Sequence, residues 1–405
     1  MIKKVNNIKF FNRIIWILTI IMFSSLIIFE QYTWGKYIFL GLTISIFVID
    51  NLIHRGSKIR FGPFQIIFGS FILYCFMTSI WALKPSNALS FSRTLVYIYI
   101  CLLLIEPHYS RESNIPKFLS AIIWASVIIA VYTISFYGLD NLIMSSKSYN
   151  IRLENEFSNI NSIGIFCALG VVLQFESRVY NKKFEASIPF AFISFFVAAC
   201  TQSRKAILLI VLGFAIIVIL KNYDNKNIIN SITKIITFLL VLIITIYIIF
   251  QLDIFSGLNQ RLEQLFSFVI GTGDIDSGTL KRKFMINLGI ETWKKYPVLG
   301  IGLNNTRILV MNSIGMDAYL HNNYVELLCA TGLIGFFLYY NMYIYLIKNL
   351  MKNRNKNKRC FILGCMLFSI SLILDFGMVS YYSKFGLLLL MFQFINVYNL
   401  KYNYD

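Results

Sequence analysis

Apolar runs long enough to cross a hydrocarbon core recur from one end of the chain to the other, divided by short polar segments. Their spacing predicts about twelve helical spans, at roughly 11–29, 36–53, 63–82, 90–105, 116–137, 158–176, 187–201, 204–220, 233–251, 324–347, 360–375 and 383–399. Backbone inside a bilayer must satisfy its own hydrogen bonds, so runs of this length imply helices. The expected fold is an all-α polytopic membrane protein. One stretch breaks the pattern: 251–323 has no run of spanning length. The chain therefore divides into an N-terminal transmembrane bundle over 1–250 with about nine spans, an extracytoplasmic loop over 251–323, and about three C-terminal spans over 324–405.

Long loops without a span of their own are usually functional. Here the pattern predicts an amphipathic helix over 258–270, a Gly- and Asp-rich break over 271–279, and a second helix over 280–296. Phe284, Leu288 and Trp293, with Ile286 and Ile290, fall at helical spacing in that second helix. Ser277 or Thr279 is suited to cap it, and Pro297 to stop it. GIGLNN (300–305) contains a G-x-G, but no strand–helix unit surrounds it, so it reads as a turn after Pro297.

Composition narrows the class. Hydrophobic residues make up 57% of the chain and charged ones 14%, outside the balance of a soluble domain. The net charge of +18 invites a polyanion partner. Yet the basic residues gather in alternate short segments: Lys3, Lys4, Lys9, Arg13; Arg55, Lys58, Arg60; Arg111, Lys117; Arg178, Lys182, Lys183; Lys221, Lys226, Lys234; Lys348, Lys352, Arg354, Lys356, Lys358, Arg359; and Lys401. That is the positive-inside pattern. It calls for a lipid bilayer and no nucleic acid, and places both termini in the cytoplasm and the 251–323 loop outside. The first run follows Lys3, Lys4, Lys9 and Arg13 as a signal peptide would, but residues 30–34 offer no small-residue cleavage site, so it reads as the first span. The seven cysteines lie in or beside apolar runs with no C-x-x-C pair and read as core hydrophobes.

Candidate chemistry collects on the outer face. Of three histidines, His54 and His108 fall in inner segments, while His321 falls outside at the start of a span. Histidine is the side chain that serves as a base near neutral pH; a helix-capping or interfacial role is the alternative reading. From 279 to 307 the chain carries Lys281, Arg282, Lys283, Lys294, Lys295 and Arg307 against the single acid Glu291. Such a concentration suits a diphosphate, which arginine pairs in two places at once; for the lysines, contact with anionic headgroups is the simpler reading. Arg204 stands in a very short outer turn, TQSRKAILL, where an arginine near membrane depth marks either a functional site or a headgroup anchor. Arg93 and Arg152 also lie near outer span ends. Asp274, Asp276 and Asp317 lack ligand spacing, so no metal or other cofactor is expected.

These features together resemble the bacterial O-antigen ligase and polysaccharide polymerase family. Arg204-Lys205-Ala206-Ile207-Leu208 is similar to its R-x-x-x-L motif. His321 and Gly332, with ten residues between them, match its H-x10-G motif, with a second glycine at Gly335. KRKFMINLGIETWKKYPVLGIGLNN (281–305) is similar to its arginine–tryptophan helix and following G-x-G turn. RLENEFSNINSIGIF (152–166) resembles its asparagine-rich approach to a central span, without the usual proline. The likeness covers the second half of the chain in motifs and the first half in hydropathy alone.

The resemblance implies a GT-C-like glycosyltransferase architecture and donors carried on undecaprenyl diphosphate. It also implies that Arg204 and Arg282 hold the diphosphate, that His321 acts at the acceptor, and that no metal is needed. Arg152, Arg93, Asn322, Asn323 and Glu326 are the expected substrate-binding or orienting residues. The expected function is a polymerase joining lipid-linked repeat units into a capsular or O-antigen-like polysaccharide at the outer leaflet of the cytoplasmic membrane. A flippase and a chain-length regulator are its expected partners. A ligase acting on another acceptor is the alternative within the family. A lipid-linked oligosaccharide flippase is the alternative from another class, disfavoured because the candidate groups collect on one face and no inverted repeat is visible.

Overall fold

A computed structural model describes residues 2–54, 59, 61–111, 114–148, 153, 156–180, 187–223, 227–270 and 277–401. Arg152 lies outside the described residues, as do Arg55, Lys58, Arg60, Lys182, Lys183, Lys226 and most of the 271–279 break. Among the described residues the regular elements are all helical. Nine of these helices are long and apolar enough to cross a membrane, which makes this a multi-pass membrane protein. The other three expected spans are helices of different character. Ile188–Cys200 and Lys384–Leu400 are apolar but shorter. Lys358–Asp375 carries Lys358, Arg359 and Asp375 at its ends. At about 1.5 Å per residue, Ile188–Cys200 is well short of a hydrocarbon core.

The chain folds into two compact units, neither of them one continuous stretch: Met1–Gly56 with Arg111–Asp274 and Lys358–Met366, and Ser57–Ser110 with Ile275–Asn357 and Leu367–Asp405. In the first, the helix Ile160–Tyr180 is the most deeply buried of the candidate spans. It packs against Ile115–Tyr137, Ile188–Cys200 and Arg204–Asn222. Lipid supplies little hydrophobic drive between helices, so close backbone approach at small residues carries the packing. At Gly170 a Cβ would overlap Ser126, and at Gly213 it would come within 2.5 Å of Val172 Cγ1.

Two of the basic residues that the charge pattern assigns to the inner side prove to be more than topological signals. Arg111 pairs Asp50 through both oxygens, Nη1 to Oδ1 at 2.5 Å and Nη2 to Oδ2 at 3.0 Å. Arg359 grips Glu176 the same way, at 2.7 and 3.0 Å. Both carboxylates are almost fully buried on membrane-crossing helices, where an unpaired charge is expensive.

In the second unit, the helix Asn323–Lys352 packs against Pro63–Met77 and against the loop helix Ser277–Lys295. The loop helices form close to their expected positions, as Ser256–Ile270 in the first unit and Ser277–Lys295 in the second. Pro297 follows the end of the latter; a cap at Ser277 lies outside the described side chains.

The Asp50–Arg111 pair generates a test. Arg111→Ala should strand a buried carboxylate and destabilise the first unit by about 2–3 kcal/mol, the low end for a broken buried pair because Arg111 is part-exposed. Asp50→Asn added to it should recover most of the loss. Thermal unfolding in detergent reads both; an unchanged Arg111→Ala transition would remove the pair from the account.

Candidate functional site

Candidate residues fall in both units. In the first, Arg204 opens the helix Arg204–Asn222 directly after Thr201, Gln202 and Ser203, all three buried. Gln202 adopts φ 52°, a left-handed backbone that reverses the chain in the fewest residues. Its side chain fixes that reversal. Nε2 donates to the carbonyls of Ser145 and, at 3.0 Å, of Ser148. Oε1 accepts from Arg261 Nε at 2.5 Å. Ser256 Oγ donates to the Lys147 carbonyl at 2.6 Å. The arginine turn is thus clamped between the helices Leu139–Lys147 and Ser256–Ile270, and Arg204 itself is half-buried.

In the second unit, His321 also has a left-handed backbone, φ 56°, and packs its ring, tilted by 50°, against Tyr319 with centroids 4.5 Å apart. The residues on either side hold this conformation. Asn322 caps the helix Asn323–Lys352, its Oδ1 accepting from Val325 N at 3.0 Å, while its Nδ2 donates to the Phe376 carbonyl at 3.3 Å. Glu326, one turn on, reaches back to accept from Leu320 N at 2.9 Å and from the Thr306 hydroxyl. Asn323 is fully buried and fully used: Nδ2 donates to Tyr340 Oη at 3.0 Å and Asp375 Oδ2 at 3.3 Å, and Oδ1 accepts from Ser380 N at 2.9 Å and Tyr381 N at 3.2 Å. Asp375 completes this cluster by accepting from Tyr340 Oη at 2.9 Å and Ser380 Oγ at 2.5 Å. Asn323 and Glu326 therefore spend their polar atoms on protein. Burial, with the nearby Glu326 charge, holds the Tyr381 phenol well above its ordinary range, so it stays neutral.

Asp375 is the residue that the sequence reading missed. Its signal was an aspartate closing the apolar run SLILD, since an ionisable group at membrane depth is a functional-site candidate by default.

Arg282 lies on Ser277–Lys295, half-buried, three residues before Met285 and seven before Gly289. Positions i, i+3 and i+7 share a helix face. Met285 packs with Leu320 in one apolar cluster, and Gly289 lies so close to Leu320 and Val325 that a Cβ there would overlap both. Arg282 thus stands on the helix face that meets the chain immediately before His321. Lys281, Lys283, Lys294 and Lys295 are exposed. Arg307, counted by sequence in the basic cluster, pairs with Asp317 at 2.7 Å. Arg93 is exposed on the helix Pro85–Tyr109.

Gly332 gives the H-x10-G spacing a physical reason. Its backbone, φ 62° and ψ −168°, breaks the helix Asn323–Lys352; that conformation is essentially glycine-only. The groups released by the break bond to the turn after Pro297: Ile301 N to Cys329 O at 3.0 Å, Gly302 N to Ala330 O at 2.9 Å, and Leu333 N to Pro297 O at 2.9 Å. Gly300, φ 68°, lets the turn approach, since a Cβ there would stand 2.6 Å from the Ala330 carbonyl. The turn is pinned further by Leu303 N to Thr78 Oγ1 at 3.1 Å and Lys84 N to Asn305 Oδ1 at 2.8 Å.

The fold and these motif residues define a multi-pass helical membrane protein whose candidate groups stand in and beside one long loop. Residues 189–340 match the family described as O-Antigen ligase, a stretch that contains Arg204, Arg282, His321, Gly332 and Gly335. The match covers less than half of the chain and supports a likeness to the O-antigen ligase and polymerase family, whose members are glycosyltransferase-like enzymes. No curated protein matches the chain.

Gly332→Ala should impose a strained backbone, costing about 1–3 kcal/mol, and drive a Cβ into the Val298 carbonyl. The expected result is a lower thermal transition in detergent and lost activity together. A Gly332→Ala protein as stable as the parent would contradict the backbone docking described above.

Proposed function

We propose that the protein transfers a glycan from undecaprenyl diphosphate to a sugar hydroxyl at the outer leaflet of the cytoplasmic membrane. In this reading it lengthens a surface polysaccharide of capsular or O-antigen type by joining lipid-linked repeat units. The observation that carries it is the coincidence of the family match with Arg204, Arg282 and His321 inside one matched stretch. The acceptor hydroxyl attacks the anomeric carbon of the donor glycan. The bond from that carbon to the diphosphate oxygen breaks, its electron pair leaves with the diphosphate, and the hydroxyl proton passes to the His321 imidazole. Arg282 and Arg204 neutralise the charge that grows on the departing oxygen, which spares the reaction a metal ion.

The hydrogen-bonding around His321 supports this division of labour. A base contributes only if it is held within reach of its proton, and Asn322, Asn323 and Glu326 fix the backbone on both sides of it. These three are assigned to positioning. Arg93 and Arg152 are assigned to the donor at the bilayer surface. A flippase supplies the donor, and a chain-length regulator limits the product.

A second reading is a ligase that moves a finished glycan to a different acceptor, favoured by the family description itself. The two differ in the acceptor, and one assay separates them. Purified protein given a synthetic undecaprenyl-diphosphate repeat unit alone should yield a ladder of products, with or without a chelator. No ladder, but single transfer to an added acceptor, would favour the ligase.

In the same assay His321→Ala should lower the rate by about 10²–10⁴-fold while the protein remains inserted and monodisperse. Arg282→Lys should also fail, because an ammonium cannot replace a two-point guanidinium contact. An unchanged ladder from His321→Ala would refute its role as base.

A further inference from the structure

The first unit holds another concentration of positive charge, at the end of the helix Ile2–Ile28 away from Glu30. There the start of Ile115–Tyr137 lies beside Ile2–Ile28, and a cavity of about 340 Å³ opens between them. Lys9, Arg13 and Lys117 line it, with Asn12, Trp16 and Ser120, and among the described residues no carboxylate does. Lys117 Nζ donates to the neutral Asn114 Oδ1 at 2.8 Å, so its charge is not cancelled. No ion pair involves Lys9 or Arg13 among the described residues.

The backbone adds to this. The helix Ile115–Tyr137 begins at the cavity with no acid in its first turn and no side-chain cap from Asn114. Among the described residues, then, no side chain caps that positive end, the kind of helix end that suits a phosphate.

The positive-inside rule accounts for basic residues at this end, but not for their arrangement. Lys9, Arg13, Ile17 and Ile21 recur every four residues and form a single stripe on Ile2–Ile28. All four are exposed; Ile17 and Ile21 show 44% and 46% of their surface. The stripe is cationic at the end of the span and apolar along it, and Trp16 stands where interfacial aromatics gather. That is the outline of a phospholipid, with phosphate at the cavity and acyl chain along the isoleucines.

We propose that this cavity binds the phosphate of an anionic phospholipid headgroup from the leaflet that the charge bias assigns to the cytoplasm. The site is independent of the glycosyl-transfer reading. A soluble phosphate shares the head-on chemistry but has no use for the apolar half of the stripe.

Native mass spectrometry of the full chain, released from vesicles of equal phosphatidylglycerol and phosphatidylcholine, tests it. The parent should retain phosphatidylglycerol in preference to phosphatidylcholine. Arg13→Gln with Lys117→Gln should lower that retention about 10-fold or more, Arg13→Lys should keep most of it, and millimolar inorganic phosphate should not displace the lipid. Lys348→Gln with Lys352→Gln removes equal charge from another inner segment and should leave retention unchanged. Equal retention of the two lipids, equal loss in the control pair, or displacement by inorganic phosphate would each overturn the proposal.

Discussion

A helix that crosses a membrane cannot simply stop hydrogen-bonding halfway; where it breaks, other groups must take up the released amides and carbonyls. The rest of the second unit depends on how this is done at Gly332. The carbonyls of Cys329 and Ala330 and the amide of Leu333 lose regular helical partners there and find them in the turn that follows Pro297. Break and turn are complementary, each taking up polar groups that the other releases. Because the turn continues from the helix Ser277–Lys295, the same bonds fix that helix, with Arg282, against the segment that carries His321.

The same economy governs the other polar groups. Gln202, Asn322, Asn323 and Glu326 each bond to backbone groups and so hold a particular chain conformation. Asn323 bridges two segments through four bonds, and Asp375 anchors the far side of that bridge. In the first unit Gln202 does the equivalent for the turn before Arg204. A segment in a left-handed or capping conformation would otherwise sample many orientations, and this scaffolding removes that freedom.

Much of this was legible in the sequence, and the parts that were not share a cause. Among the described residues, apolar run length located nine helices long and apolar enough to span, and polarity with Pro297 located the loop helices, because these are local signals. The break at Gly332 was visible only as a motif glycine. Its surroundings, CATGLIG, read as uninterrupted helix, and its partner strip lies some thirty residues away, a pairing that local pattern does not encode. Asp375 was passed over for a similar reason: one acid at the end of an apolar run looks like a span boundary until Asn323 and Tyr340 converge on it. Arg111 and Arg359 entered the reading only as charges of the topological bias, and their pairing with Asp50 and Glu176 depends on which helices are neighbours. Arg307 was counted in the basic cluster because Asp317, which neutralises it, stands ten residues on in a loop.

The central claim is that the turn after Pro297 and the broken helix form one rigid frame beneath Arg282 and His321. Hydrogen exchange of the protein in lipid nanodiscs, resolved to the amides of Ile301, Gly302 and Leu333, tests it most directly. The account predicts protection at these three amides comparable to that of the adjoining helix Asn323–Lys352. Exchange at the rate of an open loop would contradict it.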